Sequence, residues 1–190
     1  LVLFADNTFI YAENDAVLPN GLETGNYSVD SHSGDLTLTI TYDNNGPGED
    51  SGAGDIGTDV TTDTVLSNGN NTLSILNGGI ALSSENLAGS SIVGSWSPVN
   101  NTGDLHMIFF ANNTFLIADS SSNDPNGLQL GSYSYDSSTK GLVLSLTYND
   151  TGDSSDIGNT NSEINMNAEL SDNGNTLSMM NGGLILTRSL

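Results

Sequence analysis

Apolar and polar residues alternate in short runs along this chain. Leu142, Leu144, Leu146 and Tyr148 fall on one side of an extended segment. Ile164, Met166, Ala168 and Leu170 do the same, with Asn165, Asn167 and Glu169 opposite. A period of two is the mark of a strand with one buried face. In the second half of the chain the pattern predicts eight strands, over residues 92–98, 105–111, 114–118, 131–136, 142–148, 162–170, 176–180 and 183–187. Tight turns separate them at Asn112-Asn113, Asn173-Gly174 and Asn181-Gly182-Gly183. These residue types accept the left-handed backbone that short hairpins require. Consecutive strands joined by short turns predict an antiparallel meander. Eight of them can close into an up-and-down β-barrel, which removes both sheet edges.

The pattern occurs twice. Residues 2–46 align with 108–152 without a gap, at an offset of 106. "FADNTFIYA" matches "FANNTFLIA", "PNGLETGNYSVDS" matches "PNGLQLGSYSYDS" and "LTLTITY" matches "LVLSLTY". After a loop two residues shorter in the second copy, "NTLSILNGGIAL" matches "NTLSMMNGGLIL" at an offset of 104. Long matches in constant order indicate internal duplication. A period near one hundred residues is too long for a solenoid unit and suits tandem small domains. The expected domains are 1–84 and 92–190, split in the Ser/Gly/Asn-rich stretch near 84–91.

Composition narrows the partners. Asp and Glu total 23 against 2 basic residues, a formal charge of −21. Nucleic-acid binding needs several cations on phosphates, and an anionic membrane surface attracts the same groups. No nucleic-acid partner is expected on this ground, and docking on an anionic membrane surface is disfavoured. No apolar run approaches the ~18 residues of a membrane-spanning helix, so no membrane insertion is expected. Cysteine is absent, which removes disulfides, thiolate metal sites and cysteine nucleophiles. Polar character comes from Asn, Ser, Thr and Gly, and a chain this acidic suits a secreted or surface protein in salt water, where ions screen its self-repulsion. The sequence opens at Leu1-Val2-Leu3-Phe4, inside an expected strand, which points to a processed or trimmed chain.

One set of motifs carries a resemblance. Gly94-Ser95-Trp96, then "HMIFFANNTF", the "GSYSYD" strand and a closing "NTLSMMNGGLILTR" resemble the bacterial lipocalin-like domains of the calycin superfamily. The resemblance spans most of both copies. It implies a Gly-X-Trp on the first strand and an Arg on the last strand that packs over the Trp and closes the barrel. Trp96 and Arg188, the chain's only Trp and only Arg, stand at those positions. The contact expected of them is a cation–π pair of ~0.5–2 kcal/mol. The fold expected is therefore all-β, two tandem lipocalin-like barrels. Such domains range from ligand carriers to structural modules, so the resemblance leaves function open.

The first copy departs from the pattern. Its counterpart of Trp96 would lie about ten residues before Leu1, and its counterpart of Arg188 is Ser84. Seven strands are expected there. A barrel lacking one strand has two open edges, at Leu1, Val2, Leu3 and Phe4 and at Ile80, Ala81 and Leu82. Either the missing strand lies upstream of this sequence, or another molecule supplies it by strand addition.

Candidate chemistry is sparse. His32 lies in a Ser-rich turn and has Ser138 as its counterpart, and His106 opens a strand; both read as surface residues. No nucleophile motif accompanies them. Carboxylates gather in two loops, at Asp43, Glu49, Asp50 and Asp55 and at Asp150, Asp153 and Asp156. The bland reading is a solvated surface. The sharper one is a Ca²⁺ site, with Asp43, Asp50, Asp55, Asp150, Asp153 and Asp156 as oxygen ligands; their spacing fits neither the EF-hand nor the Gly-rich calcium repeats. Phe4, Phe9, Tyr27 and Tyr42 recur as Phe110, Phe115, Tyr133 and Tyr148, which reads as core. Asn-X-Ser/Thr acceptor sites stand at Asn26, Asn70, Asn100, Asn112 and Asn149.

These readings converge on a non-enzymatic extracellular structural or adhesive protein. Its specific form is a filament subunit that self-associates by strand addition; a glycan or cell-surface molecule is the other partner expected. The alternative is a module holding a small apolar ligand or a glycan. Core filling separates the two, since bulky inward residues such as Phe109, Phe115, Met166, Leu177 and Met179 leave no cavity in a small barrel. A secreted hydrolase would need an Asp/Glu pair in a concave site.

Overall fold

Alternating β-branched, leucine and aromatic residues favour extended backbone, because each strand then has one face to bury. The computed structural model describes residues 1–13, 21–43, 53–67, 72–75, 80–83, 91–99, 105–119, 127–150 and 157–189. These fall into two units, Leu1–Ser84 and Glu85–Leu190. Among the described residues, regular structure in both is β, with two single 3₁₀ turns in the second.

Unit 1 carries β1 (Val2–Leu3), β2 (Thr8–Glu13), β3 (Gly21–Val29), β4 (Leu36–Asp43), β5 (Asp59–Thr62), β6 (Thr64–Ser67), β7 (Thr72–Ile75) and β8 (Ile80–Ser83). Unit 2 carries β9 (Gly94–Pro98), β10 (Leu105–Phe109), β11 (Thr114–Asp119), β12 (Gly127–Asp136), β13 (Gly141–Asn149), β14 (Glu163–Ser171), β15 (Thr176–Met179) and β16 (Leu184–Ser189). In unit 2 each strand pairs antiparallel with the next, and β16 returns to β9, so the eight strands form a closed barrel. Closure runs through Leu186 opposite Pro98, Thr187 opposite Ser97, Arg188 opposite Trp96 and Ser189 opposite Ser95.

The barrel interior is packed with side chains. Trp96, Phe109, Phe115, Leu142, Leu144, Leu177, Met179 and Leu186 are buried in one cluster, with Met166, Leu170 and Leu184 packed against it. The ring of Phe109 meets Tyr133 edge-on, with centroids 5.0 Å apart, and the Tyr133 hydroxyl donates to the Phe110 carbonyl at 2.9 Å. β12 begins at Gly127, earlier than its alternation predicts, because residues 127–132 pair along the whole of β11.

The described strands of unit 1 do not close into a barrel. They form two open sheets, β1 to β5 and β6 to β8. The single strand expected after β4 is split at Asp63: β5 pairs with β4, and β6 pairs with β7. No described strand of unit 1 joins β1 to β8, the junction that β9 makes in unit 2. Phe9, Leu36, Leu38, Ile40 and Ile75 still form one core, with Leu1, Leu3, Tyr11, Tyr27 and Leu73 against it.

Both units coil their longest hairpin with the same bulge. In unit 2 the register shifts between Leu130 and Gly131, leaving Thr147 as the extra residue, and its hydroxyl donates to the Leu130 carbonyl at 3.2 Å. In unit 1 the shift falls between Thr24 and Gly25, and Thr41 donates to the Thr24 carbonyl at 3.2 Å. A bulge adds local twist, which a small barrel needs in order to curl. Glycine is required beside it. A Cβ on Gly131 would collide with the Ser145 carbonyl oxygen and lie 2.8 Å from the Phe115 ring.

Gly131→Ala is therefore expected to destabilise unit 2 by roughly 2–3 kcal/mol, since both neighbours are fixed, and to lower its Tm by about 10–20 °C. Gly141→Ala, whose Cβ would meet only the Thr139 hydroxyl at 3.2 Å, should shift it far less. Thermal unfolding followed by circular dichroism compares the two.

Candidate functional site

β9 and β16 place Trp96 and Arg188 directly opposite each other. Trp96 is fully buried, and its indole N–H donates to the Ile92 carbonyl at 2.8 Å. The guanidinium carbon of Arg188 lies 4.3 Å from the Trp96 ring centroid. Its nitrogens donate to three backbone carbonyls: Nε to Gly174 at 3.0 Å, Nη1 to Val93 at 2.7 Å and Nη2 to Ser91 at 2.9 Å. Those carbonyls belong to the segment leading into β9 and to the turn between β14 and β15. One side chain thus ties three pieces of chain across one end of the barrel. Burial lowers the guanidinium pKa from its ordinary value; the group stays charged at neutral pH. A planar cation with a fixed fork of donors can stack on indole and bind carbonyls at once, which an ammonium cannot.

The strand-edge residues lie where the open sheets end. Val2 and Leu3 form β1 and pair on one side only, with Ile10 and Phe9. Phe4 is buried, and its carbonyl accepts from the Tyr27 hydroxyl at 2.8 Å. Ile80, Ala81 and Leu82 lie in β8, the terminal strand of its sheet, opposite Ile75, Ser74 and Leu73. Leu1 and Leu82 are half-buried.

The acidic-loop residues are spread among structural roles. Asp50, Asp153 and Asp156, with Glu49 and Ser84, lie outside the described residues. Asp150 accepts from the backbone N–H of Leu128 and, at 3.4 Å, from the Tyr148 hydroxyl. It caps the start of β12, and Gly127 is needed there because a Cβ would strike its carboxylate. Burial, helped by the charge of Asp150, pushes the Tyr148 hydroxyl up to about 12. Asp55 is exposed, and its carbonyl ends a turn by accepting from the Thr58 N–H at 3.0 Å. Asp43 is half-buried at the end of β4. Among the described residues no three His, Asp or Glu side chains converge as a metal-binding group.

The histidines differ. His32 is exposed in the β3–β4 turn, where its N–H donates to Asp30 at 2.7 Å. The surface reading of His106 is corrected: it is buried, with Nδ1 3.1 Å from the Ser97 hydroxyl across β9 and β10. β10 carries apolar or buried residues on both faces, so a position that looks like a strand's polar side is covered.

Sequence reasoning passed over one pair of positions. Glu23 and Gln129 are equivalent in the alignment, and both are fully buried. The Glu23 carboxylate accepts from the Ala53 N–H, with its two oxygens at 3.0 and 2.8 Å. Gln129 donates to the Gly158 carbonyl at 3.5 Å, and Asn149 donates to the same oxygen at 2.9 Å. In register, Glu23 faces Asp43 where Gln129 faces Asn149. Both units thus anchor the loop after their fourth aligned strand with a buried polar side chain, acidic in one and amide in the other. The signal was a polar residue in a core-facing position of "GLETG" and "GLQLG".

No family model matches the chain, and no curated protein or solved structure is significantly similar to it.

Two outcomes follow from this geometry. Arg188→Ala leaves three carbonyls and an indole face without their partner, and should cost roughly 3 kcal/mol. Arg188→Lys should recover less than half of that, because the fork is lost. Trp96 is the only tryptophan, so a red shift of its fluorescence reports opening of the barrel end in each variant.

Acid sensitivity is placed by Asp136. Its carboxylate accepts from the Ser138 hydroxyl at 2.6 Å and the Ser138 N–H at 2.8 Å, and these bonds, the hydroxyl first, lower its pKa from 3.8 to about 2. A carboxylate depressed in the folded state adds stability above its unfolded pKa and loses it as pH falls through the folded value. The contribution of this turn should therefore fade between about pH 4 and pH 2. Carboxyl NMR titration should give a midpoint near 2 for Asp136, moving toward 3.8 in Ser138→Ala.

Proposed function

We propose that this chain is a non-catalytic structural or adhesive part of an extracellular protein, built from two lipocalin-like barrel repeats in tandem. The observation that carries the reading is the filled interior of unit 2. Trp96, Phe109, Phe115, Tyr133, Leu177 and Met179 occupy the space a carrier would keep for its ligand. The polar groups that enter it are turned to backbone: the Trp96 N–H, the Tyr133 hydroxyl and the Arg188 guanidinium each bind carbonyls. Such a barrel gains rigidity from its core and would meet partners, a glycan or a cell-surface molecule, through its outside.

The acidic, cysteine-free composition supports an extracellular setting, where salt screens a charge of −21. Unit 1 is read as a second barrel repeat on the strength of its aligned sequence and its matching bulge. A filament subunit, in which neighbouring molecules exchange strands at the edges of unit 1, is the specific form of this reading.

Electron microscopy of the native material is the test of that form. Fibres with a regular axial repeat are expected of a strand-exchanging subunit, and isolated particles would remove it. Titration with an environment-sensitive apolar fluorophore tests the filled core: no saturable uptake is expected, and one tight site per barrel would overturn the structural reading in favour of a carrier.

A further inference from the structure

Glu23 is a fully buried acid in a unit that offers it no basic side chain as a partner. No lysine or arginine lies between residues 1 and 84, and the one histidine there, His32, is exposed in the β3–β4 turn. The titratable groups in register with Glu23 are Tyr11 on β2 and Asp43 on β4. Neither is a counter-charge, and Asp43 is a like one. The Ala53 N–H, shared by the two carboxylate oxygens at 3.0 and 2.8 Å, works the other way. A shared neutral donor offsets only part of what a carboxylate loses on leaving water. Burial and a neighbouring acid both favour the protonated form. The bond to Ala53 also has a mechanical consequence, because it ties the start of the turn Ala53–Thr58 to β3. The far end of that turn is tied to β4 instead: the Gly57 N–H donates to the Ile40 carbonyl at 2.9 Å, and the Ile40 N–H donates to the Thr58 carbonyl at 3.2 Å. Unit 2 builds the matching turn with amides. Its glycine, Gly158, has φ +146° where Gly54 has +152°. Gln129 and Asn149 stand at the places of Glu23 and Asp43, and both donate to the Gly158 carbonyl. Amides do not titrate, so pH leaves that arrangement as it is.

We propose that Glu23 is a proton-operated latch on the Ala53–Thr58 turn of unit 1: protonated, it stays buried and holds the turn to β3, and its ionisation loosens the turn from that strand. With the proton bound, one oxygen still accepts from the Ala53 N–H, and the hydroxyl gains a donor with Asp43 as the acid opposite it in register. Without the proton, a buried and a half-buried carboxylate stand opposite each other, and lifting the turn lets water reach Glu23. The direction follows from linkage. A carboxyl that holds its proton more tightly in the folded state adds stability in full below its unfolded pKa, about 4.3, and loses it as pH rises through the folded value. Acid therefore closes the latch and neutral pH loosens it, while the matching turn of unit 2 stays indifferent.

Carboxyl NMR titration of the 190-residue chain, in EDTA, is the direct test. The Glu23 midpoint is expected above about 4.3, and a midpoint at or below that value overturns the latch. Amide exchange reads the turn itself. Protection of the Ala53 amide, corrected for the intrinsic rate at each pH, should fall about fivefold or more between roughly pH 4 and pH 7. Core amides of β4 should keep theirs, which separates loosening of the turn from unfolding of the unit. Glu23→Gln is expected to fold, since unit 2 carries an amide at this place, and to flatten the profile. Asp43→Asn should move the Glu23 midpoint to lower pH, because it removes the like charge. In reverse, Gln129→Glu should give the turn of unit 2 the same dependence on pH. An equal loss of protection in Glu23→Gln, or protection of Ala53 that rises with pH in the unaltered chain, overturns the proposal.

Discussion

Closure of the sheet is the constraint on which the rest of unit 2 depends. A meander of eight strands has two edges, and they must meet for either to be satisfied. They meet at the β9–β16 pairing, and the Trp96–Arg188 contact lies on that seam. The indole fills the barrel end, and the guanidinium takes up carbonyls from the lead-in to β9 and from the turn at Gly174. Each group alone would be a liability there, a bulky ring without a lid or a buried cation without acceptors. Together they fix the first strand against the last. Unit 1 has nearly the same core residues on its middle strands, yet its described strands form two open sheets, divided between β5 and β6.

Curvature is supplied separately from closure. The bulges at Thr24/Gly25 and Leu130/Gly131 occur in both units with equivalent hydrogen bonds. The β-hairpin turns repeat as well. Asn7 and Asn113 adopt φ of 68° and 66°, and each is tied to the carbonyl of a preceding phenylalanine at 3.1 Å. Local devices that bend the sheet therefore survive where the barrel is open, so they are set by short-range sequence. Closure is a long-range property, which needs the first and last strands of a meander to meet.

This division explains what was legible in the sequence. Alternation placed the strands of unit 2 within a few residues, since Leu142, Leu144 and Leu146, or Ile164, Met166 and Ala168, have one face in the core and one in water. Asn-Gly turns were legible because few residues tolerate left-handed backbone. The start of β12 was not, because it is set by pairing of residues 127–132 with β11 rather than by alternation. His106 was misread because β10 and β11 are buried on both faces, with Ile108, Leu116 and Ala118 as buried as Phe109 and Phe115. Strands covered on both sides lose the period of two. Glu23 and Gln129 escaped notice because composition presents them as two polar residues among many; only their alignment in a core-facing register marks them.

The charge balance takes on a sharper meaning once the two basic side chains are placed. Arg188 is committed to the barrel seam, and Lys140, in the turn before β13, pairs with Glu169 of β14. The lysine pair is exposed, and a pair of that kind contributes at most about 1 kcal/mol. Both cations of the chain thus serve its own fold, within a net charge of −21. An anionic partner would meet repulsion with no basic group free to offset it. On the structural reading proposed above, a partner would be neutral, such as a glycan, or cationic, or would approach through backbone hydrogen bonds at a strand edge, where side-chain charge matters least.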